Sequence, residues 1–393
     1  MILTQCAVCA TELGLSLGKK CGRCSTRYCG PECQKQHWEG GGHDKICKLI
    51  KKAGGAEAYN ANKKYTAAVA VAATACAEDT KGQTCYICTQ ALHWKTKEGL
   101  VRGCSCRGTA GFAHVSCLAE EAKILYDEAE ENNLDNKVLN ERFGRWHTCS
   151  LCEQNYHGVV ECALGWACWK TYVGRPETDW ARKFAMTLLA NGLSAVDHHE
   201  DSLHVQEAEL SMRRRLGGSE EDLLVVQGNL AGTYNQLGRH EEALSIKRDV
   251  YFGCLRLNGE EHEATIIEAL NYAMTLASLQ RFEEARSLLR KTIPVVRRSR
   301  GENSENTLRM RGLYATAVYL DEGATLDDLR EAVTTLEETE RTARRVLGGA
   351  HPLTTLTEGH LGLAREALRT RESTGDVESL REAVEAMTPP GDA

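Results

Sequence analysis

No apolar run in these 393 residues approaches the roughly 20 needed to cross a bilayer as a helix, and the longest, residues 67–77, reaches about half of that. A membrane span is therefore not expected. The opening MILTQCAVCA has no basic stretch followed by a long apolar one, so no secretory signal is evident and an intracellular location, cytoplasmic or nuclear, is expected. No nucleophilic triad, Walker loop or dinucleotide fingerprint can be assembled, which removes the usual grounds for hydrolase, nucleotide-dependent or redox chemistry. After Cys168 the chain has one more cysteine, Cys254, so the second half has no thiol-based framework. What remains has the balance of an ordinary globular chain, with 42% hydrophobic and 26% charged residues.

The first part holds what the second lacks. Of 18 cysteines, 17 lie between Cys6 and Cys168. A reducing compartment disfavours disulfides and leaves metal ligation as the main reason to gather thiols. Charge is uneven as well: residues 1–64 carry 11 Lys or Arg against 5 Asp or Glu, in a chain of net charge -7. That excess offsets thiolate charge in a small metal-bound module, and nucleic acid is not expected as a partner.

Residues 6–47 contain Cys6-x2-Cys9, Cys21-x2-Cys24, then Cys29, Cys33 and a closing His43-x3-Cys47. Eight such ligands fill two tetrahedral zinc sites, and a segment of about 40 residues gains its fold from that binding. With Tyr28, Gln34 and His37-Trp38, this spacing resembles the MYND zinc finger over its whole length. The resemblance implies interleaved sites, Cys6, Cys9, Cys29 and Cys33 on one zinc and Cys21, Cys24, His43 and Cys47 on the other. Four residues, Glu39 to Gly42, separate Trp38 from His43 where the family usually has two; His43 is preferred to His37 because His37 would leave a nine-residue gap before Cys47. MYND fingers bind short, often proline-containing peptides, and the resemblance places Gln34 and Trp38 on that surface. A Trp face suits proline, although covering a small metal core is an equally good use of it.

The second cluster reads Cys85-x2-Cys88, Cys104-x-Cys106, His114-x2-Cys117 and Cys149-x2-Cys152. The short C-x-C followed by GTAGFAHVSC resembles the RING-CH (RINGv) finger. Its cross-brace order implies Cys85, Cys88, His114 and Cys117 on one zinc and Cys104, Cys106, Cys149 and Cys152 on the other, making four Zn2+ ions in all. Most such fingers are ubiquitin ligases, which act by holding a charged conjugating enzyme in a reactive pose. Ile87 occupies the apolar position that RING-type domains turn toward that enzyme. Glu121 and Glu153 stand where the family often has Trp and a basic residue, so a purely structural or binding role stays open. Between Cys117 and Cys149 the sequence reads as one or two charged helices, and Cys162 and Cys168, with Trp166 and Trp169, read as core packing rather than as further ligands.

Residues 51–83 form an Ala-rich linker without proline, expected to be helical. From Trp180 onward the chain repeats itself: His199-Glu200-Asp201 returns as His240-Glu241-Glu242 after 41 residues and as Phe282-Glu283-Glu284 after 42 more. Each unit reads as two amphipathic helices, with Ala190, Ala231, Ala273 and Ala315 where helices cross and acidic residues opening the second helix. With GEEHEAT, GENSENT and GGAHPLT joining the units, this pattern resembles the kinesin-light-chain type of tetratricopeptide repeat, which implies a solenoid with a peptide-holding face. Asn229 and Asn271 fall where such repeats often touch bound peptide.

The expected architecture is a pair of small zinc-stabilised α+β modules followed by an all-α tetratricopeptide solenoid: MYND-type finger at 1–50, linker at 51–83, RING-CH-type finger with helical insertion at 84–175 and five repeats at 180–390. The expected function is a protein-interaction scaffold that recruits protein or peptide partners. The alternative is a RING-CH-type ubiquitin ligase using the repeats to select substrate, with a ubiquitin-conjugating enzyme as partner and no nucleophile of its own.

Overall fold

The computed structural model describes residues 6–9, 11, 13, 18–349 and 351–387, with the backbone alone from 374. The terminal TPPGDA, expected to fray, lies outside the described residues. Two compact units divide the chain at Leu237 and Gly238.

The first unit begins with a two-stranded antiparallel ribbon, β1 (Lys19–Lys20) and β2 (Arg27–Tyr28), in which Lys19 pairs with Tyr28. Two short helices follow, α1 (Pro31–Glu39), with its proline in the first turn where no amide partner is needed, and α2 (His43–Lys52). Their core is small: Cys6, Leu13, Cys21, Cys24, Tyr28, Cys47, Ile50 and Ala56.

Next come α3 (Ala56–Ala75), α4 (Val115–Glu131), α5 (Asn136–Phe143), a single 3-10 turn (Gly144–Trp146) and α6 (Gly158–Tyr172). The Ala-rich α3 is a packed element. Its small side chains bring it close to α6, and Ala61, Tyr65, Val69 and Ala72 enter one core with Val160, Trp166, Trp169, Met186 and Met212. Cys162 and Cys168 lie in that core, and burial pushes the Cys162 thiol up to about 11. Three more helices complete the unit: α7 (Trp180–Ser194), α8 (His199–Arg215) and α9 (Glu220–Gln236). The crossing of α6 and α7 is tight, since a methyl group at Gly192 would lie 2.9 Å from the Cys162 Cα.

α4 carries the acidic run between Cys117 and Cys149 on its exposed side, while Leu118, Ala122, Tyr126 and Ala129 face the core. Tyr126 meets Phe143 and Tyr172 edge-on and stacks near Trp180, so the insertion is anchored by aromatic packing.

Among its described residues the second unit is built of helices: α10 (His240–Asn258), α11 (Glu263–Ser278), α12 (Phe282–Arg300), α13 (Glu305–Tyr319), α14 (Leu326–Leu347) and α15 (Pro352–Met387). Consecutive helices pack as antiparallel neighbours, as short connections require. Ala273 and Ala315 are fully buried, as are Ala190 and Ala231 in the first unit. The Gly-x5-Thr joints close on themselves: Thr307 Oγ1 donates to the Gly301 carbonyl at 2.8 Å and Thr354 Oγ1 to the Gly348 carbonyl at 2.9 Å. The fifth unit differs from the expected helix pair. Residues 352–387 run as one helix, because its glycines, including Gly375, are tolerated mid-helix when no proline interrupts it.

Candidate metal centres and docking surfaces

Among the described residues four groups of side chains gather their ligand atoms within 4.8 Å of one another: Cys6, Cys9, Cys29 and Cys33; Cys21, Cys24, His43 and Cys47; Cys85, Cys88, His114 and Cys117; Cys104, Cys106, Cys149 and Cys152. Within them sulfurs stand 3.4 to 3.9 Å apart, far beyond the bonding distance of a disulfide, and no cysteine among the described residues is in a disulfide. Tetrahedral zinc with sulfur at about 2.3 Å would set neighbouring sulfurs about 3.8 Å apart. The donor sets fit structural zinc, with four protein ligands each and no position left for substrate.

A recurring turn shapes these sites. In Cys21-x2-Cys24, Cys85-x2-Cys88 and Cys149-x2-Cys152 the residue after the second cysteine donates its amide to the carbonyl of the first, at 2.8 to 3.0 Å. The first cysteine's amide in turn donates to the carbonyl five residues on. Ser25, Thr89 and Glu153 sit in the left-handed region at that position. Glu153 is thus a turn residue with its side chain in solvent.

The two imidazoles present different nitrogens. His43 turns Nε2 toward the Cys24 sulfur at 3.4 Å, whereas His114 turns Nδ1 toward Cys88 at 3.4 Å and Cys117 at 3.6 Å. The far nitrogen of His114 lies 3.4 Å from the Ala91 carbonyl, an outer partner that orients the ring. His37 is outside the cluster, its Nδ1 held by the Tyr28 hydroxyl at 2.9 Å. The extra residues before His43 fold as a tight corner in which a side chain at Gly41 would strike the His37 ring at 2.5 Å. At the fourth site Gly111, with φ +83°, leaves room for Cys106, whose Cβ would otherwise be 2.5 Å from a side chain there.

Crowded sulfurs compete for protons. The Cys29 and Cys9 sulfurs push the Cys33 thiol up to about 12, and burial pushes Cys47 and Cys104 up to about 11. The Thr11 hydroxyl and amide draw Cys9 down to about 6; at Cys152 burial is outweighed by the Gln154 amide and the Cys106 sulfur, leaving it at about 7. A divalent cation replaces this competition with attraction to every sulfur.

Beyond the metal sites, Gln34 and Trp38 stand one turn apart on α1. Trp38 is 42% exposed, with its ring 5.7 Å from that of His43. Ile87 is 39% exposed at the tip of its turn, and Leu151, which the sequence reading did not single out, is 51% exposed at the matching tip. The Tyr86 hydroxyl donates to the Glu121 carboxylate at 3.3 Å and lies 3.1 Å from Ser150 Oγ, tying the two tips together. A C-x2-C with Leu inside was the available signal for Leu151.

In the second unit α11, α13 and α15 line a cleft of about 280 Å³, mostly apolar, with Met274, Leu313, Leu356 and His360 among its walls and Arg309 at its edge. Asn271 is half-buried and donates to Glu268 at 3.3 Å, while Asn229 is half-buried in the first unit. Leu313 and His360, at the corresponding repeat positions, do line the cleft.

Residues 6–47 match the MYND finger family, 85–133 the RING-variant domain and 269–305 a tetratricopeptide repeat. The second match ends before Cys149 and Cys152, which the fold brings to Cys104 and Cys106 from beyond the insertion. No curated protein is significantly similar to the chain. Among solved structures, BtubC (BKLC) from P. vanneervenii aligns with 15% identity over 71% of this chain and 95% of its own, TM-score 0.43. A putative kinesin light chain from Podosopora anserina with nearly identical TPR-like repeats aligns with 19% identity over 53% of this chain and 98% of its own, TM-score 0.42. This likeness adds nothing to the helical-repeat architecture already described. Two zinc fingers and a tetratricopeptide region make the chain a zinc-binding protein-interaction scaffold, and among the described residues no helix is long and apolar enough to cross a membrane.

Proposed function

We propose that the chain recruits partner proteins through two separate surfaces: the Gln34 and Trp38 face of the first finger, for a proline-containing peptide, and the apolar cleft of α11, α13 and α15, for an extended or helical segment. Trp38 carries this reading. A flat ring left exposed beside a metal site, with an amide side chain one turn away, offers proline a stacking surface and its carbonyl a donor. Two weak sites on one chain act together when a single partner reaches both. Calorimetric titration of the zinc-loaded chain with a panel of proline-rich decapeptides is expected to find a binder whose affinity falls about tenfold or more in Trp38→Ala. Unchanged affinity in that variant, or no binder in the panel, would count against this surface.

A second reading is favoured by the paired tips. Ile87 and Leu151 form an apolar pair on neighbouring metal-bound turns, which suits docking of a ubiquitin-conjugating enzyme and would make the second finger a ligase module. The chain then contributes positioning and no nucleophile. Discharge of ubiquitin from a panel of charged conjugating enzymes is the test. Ile87→Ala is expected to slow discharge about tenfold, the usual scale for truncating a buried apolar contact; equal rates for the two proteins, or no discharge at all, would leave the finger a structural or binding element.

A further inference from the structure

The turn described at the metal sites occurs once more where there are no cysteines. In His93-Trp94-Lys95-Thr96-Lys97-Glu98 the His93 amide donates to the Glu98 carbonyl at 3.0 Å and the Lys97 amide to the His93 carbonyl at 2.9 Å. Lys97 takes the left-handed position at φ 60°. His93 and Thr96 stand in place of the two cysteines, and the His93 ring replaces the metal: its Nδ1 lies 2.8 Å from Thr96 Oγ1 and accepts from the Thr96 amide at 3.2 Å. The tip of this turn holds Trp94 and Lys95, as the tips of the metal-bound turns hold Ile87 and Leu151.

The tip faces a cleft of about 510 Å³ in the first unit, between α3, α4 and α6. Trp94 is 67% exposed there. On the opposite wall the Lys170 ammonium lies 4.3 Å from the Tyr65 ring centre. Burial lowers its pKa, and although Glu98 counters this, Lys95 is near enough to lower it further. Neither Lys95 nor Lys170 has an ion-pair partner among the described residues. Glu98, outside the lining but next to it, is already engaged: one oxygen accepts from the Ser116 amide at 2.7 Å and the other from the Ser116 hydroxyl at 2.9 Å. Lys123 adds a third ammonium, paired with Asp127 at 2.8 Å.

We infer that this cleft is a docking site for a short anionic segment of a partner protein, with a carboxylate or phosphate between Lys95 and Lys170 and a neighbouring apolar side chain against Trp94. Two ammonium groups facing one space with no ion-pair partner of their own are relieved by an anion. The exposed indole supplies the apolar half of the contact. Length is limited by the surroundings, because Glu120 lines the same cleft and repels a long polyanion such as nucleic acid. This site is distinct from the three surfaces proposed above, so its failure leaves them untouched.

Fluorescence polarisation with the full zinc-loaded chain tests it. The probes are a labelled octapeptide with three aspartates beside a leucine, the same peptide with phosphoserine at the central aspartate, and an asparagine version. At least one anionic peptide is expected to bind about tenfold or more tighter than the asparagine peptide, and Lys95→Ala to weaken it about tenfold. Lys170→Met, which keeps an apolar stem over Tyr65, is expected to do the same, and the preference between aspartate and phosphoserine identifies the source of the anion. Equal binding of the asparagine peptide, wild-type affinity in both lysine variants, or displacement by a single-stranded oligonucleotide as effective as unlabelled peptide would overturn the inference. Far-UV circular dichroism and zinc content confirm that the variants remain folded.

Discussion

Stripping the metal with a strong chelator is expected to unfold the first unit while the helices of the second persist. Structural zinc contributes about 10 to 16 kcal/mol in finger peptides at neutral pH, as much as the whole stability of an ordinary domain. Four such sites lie in the first unit, and two of them share their core with α3, α6, α7 and α8, since Cys85, Cys104, Cys117 and Cys149 are packed among the same residues as Trp146 and Trp169. Loss of metal therefore removes the walls against which those helices are buried. The chain provides its own reporter: all six tryptophans, from Trp38 to Trp180, fall in the first unit. Chelation should shift tryptophan emission to the red and release four zinc ions by atomic absorption. About half of the ellipticity at 222 nm should survive, because α10 to α15 hold about half of the helical residues and, among the described residues, no metal site. Native tryptophan emission after complete zinc loss would contradict metal-dependent folding, and loss of all ellipticity would contradict the independence of the second unit.

Glu209→Ala is expected to destabilise the first unit by about 3 to 5 kcal/mol, the scale for breaking a buried ion pair on one side. Glu209 and Arg213 are both buried on α8. One carboxylate oxygen of Glu209 receives the Arg213 Nε at 3.0 Å, its terminal nitrogen at 2.6 Å and the Thr187 hydroxyl of α7 at 2.8 Å. Truncation leaves a guanidinium in the interior with Asp222, at 3.4 Å and half exposed, as its remaining anion. Urea denaturation followed by tryptophan emission measures the loss. The double variant Glu209→Leu, Arg213→Met should recover most of it, because apolar residues of similar volume often replace a buried pair at little cost. Should the double variant be no more stable than the single one, the loss is one of packing and not of an abandoned charge.

That pair also marks what a sequence discloses. Glu209 and Arg213 are four residues apart on a helix, the spacing of an exposed surface pair, and nothing in the composition of α8 says that they face inward. Burial of a charged pair is decided by the helices that arrive on top of it. The zinc ligands are the opposite case. A C-x2-C turn is local, its chemistry is confined to cysteine and histidine, and eight donors per finger leave little freedom in how sites are filled, so the metal-binding character was legible from spacing. The helix pairs were legible for a related reason, since each repeat restates the same apolar stripe and acidic start. The cleft at Trp94 was not, because Lys95 and Lys170 are 75 residues apart and the turn that presents Lys95 has none of the cysteines that make the metal-bound turns visible. The burial of α3 was hidden by its own residues: alanine has high helix propensity yet shows little contrast between faces, so a packed helix and a solvated spacer read alike.

The position of α3 bears on how this chain could have been assembled and how it can be taken apart. Tyr65, Val69 and Ala72 precede the first cysteine of the second finger, and their partners on α6 follow its last one. The finger is therefore threaded between two helices that need each other. A gene segment bounded by the cysteines would carry the ligands without their foundation, so inheritance, exchange between genes or expression as a fragment must move α3, the finger and α6 as one cassette.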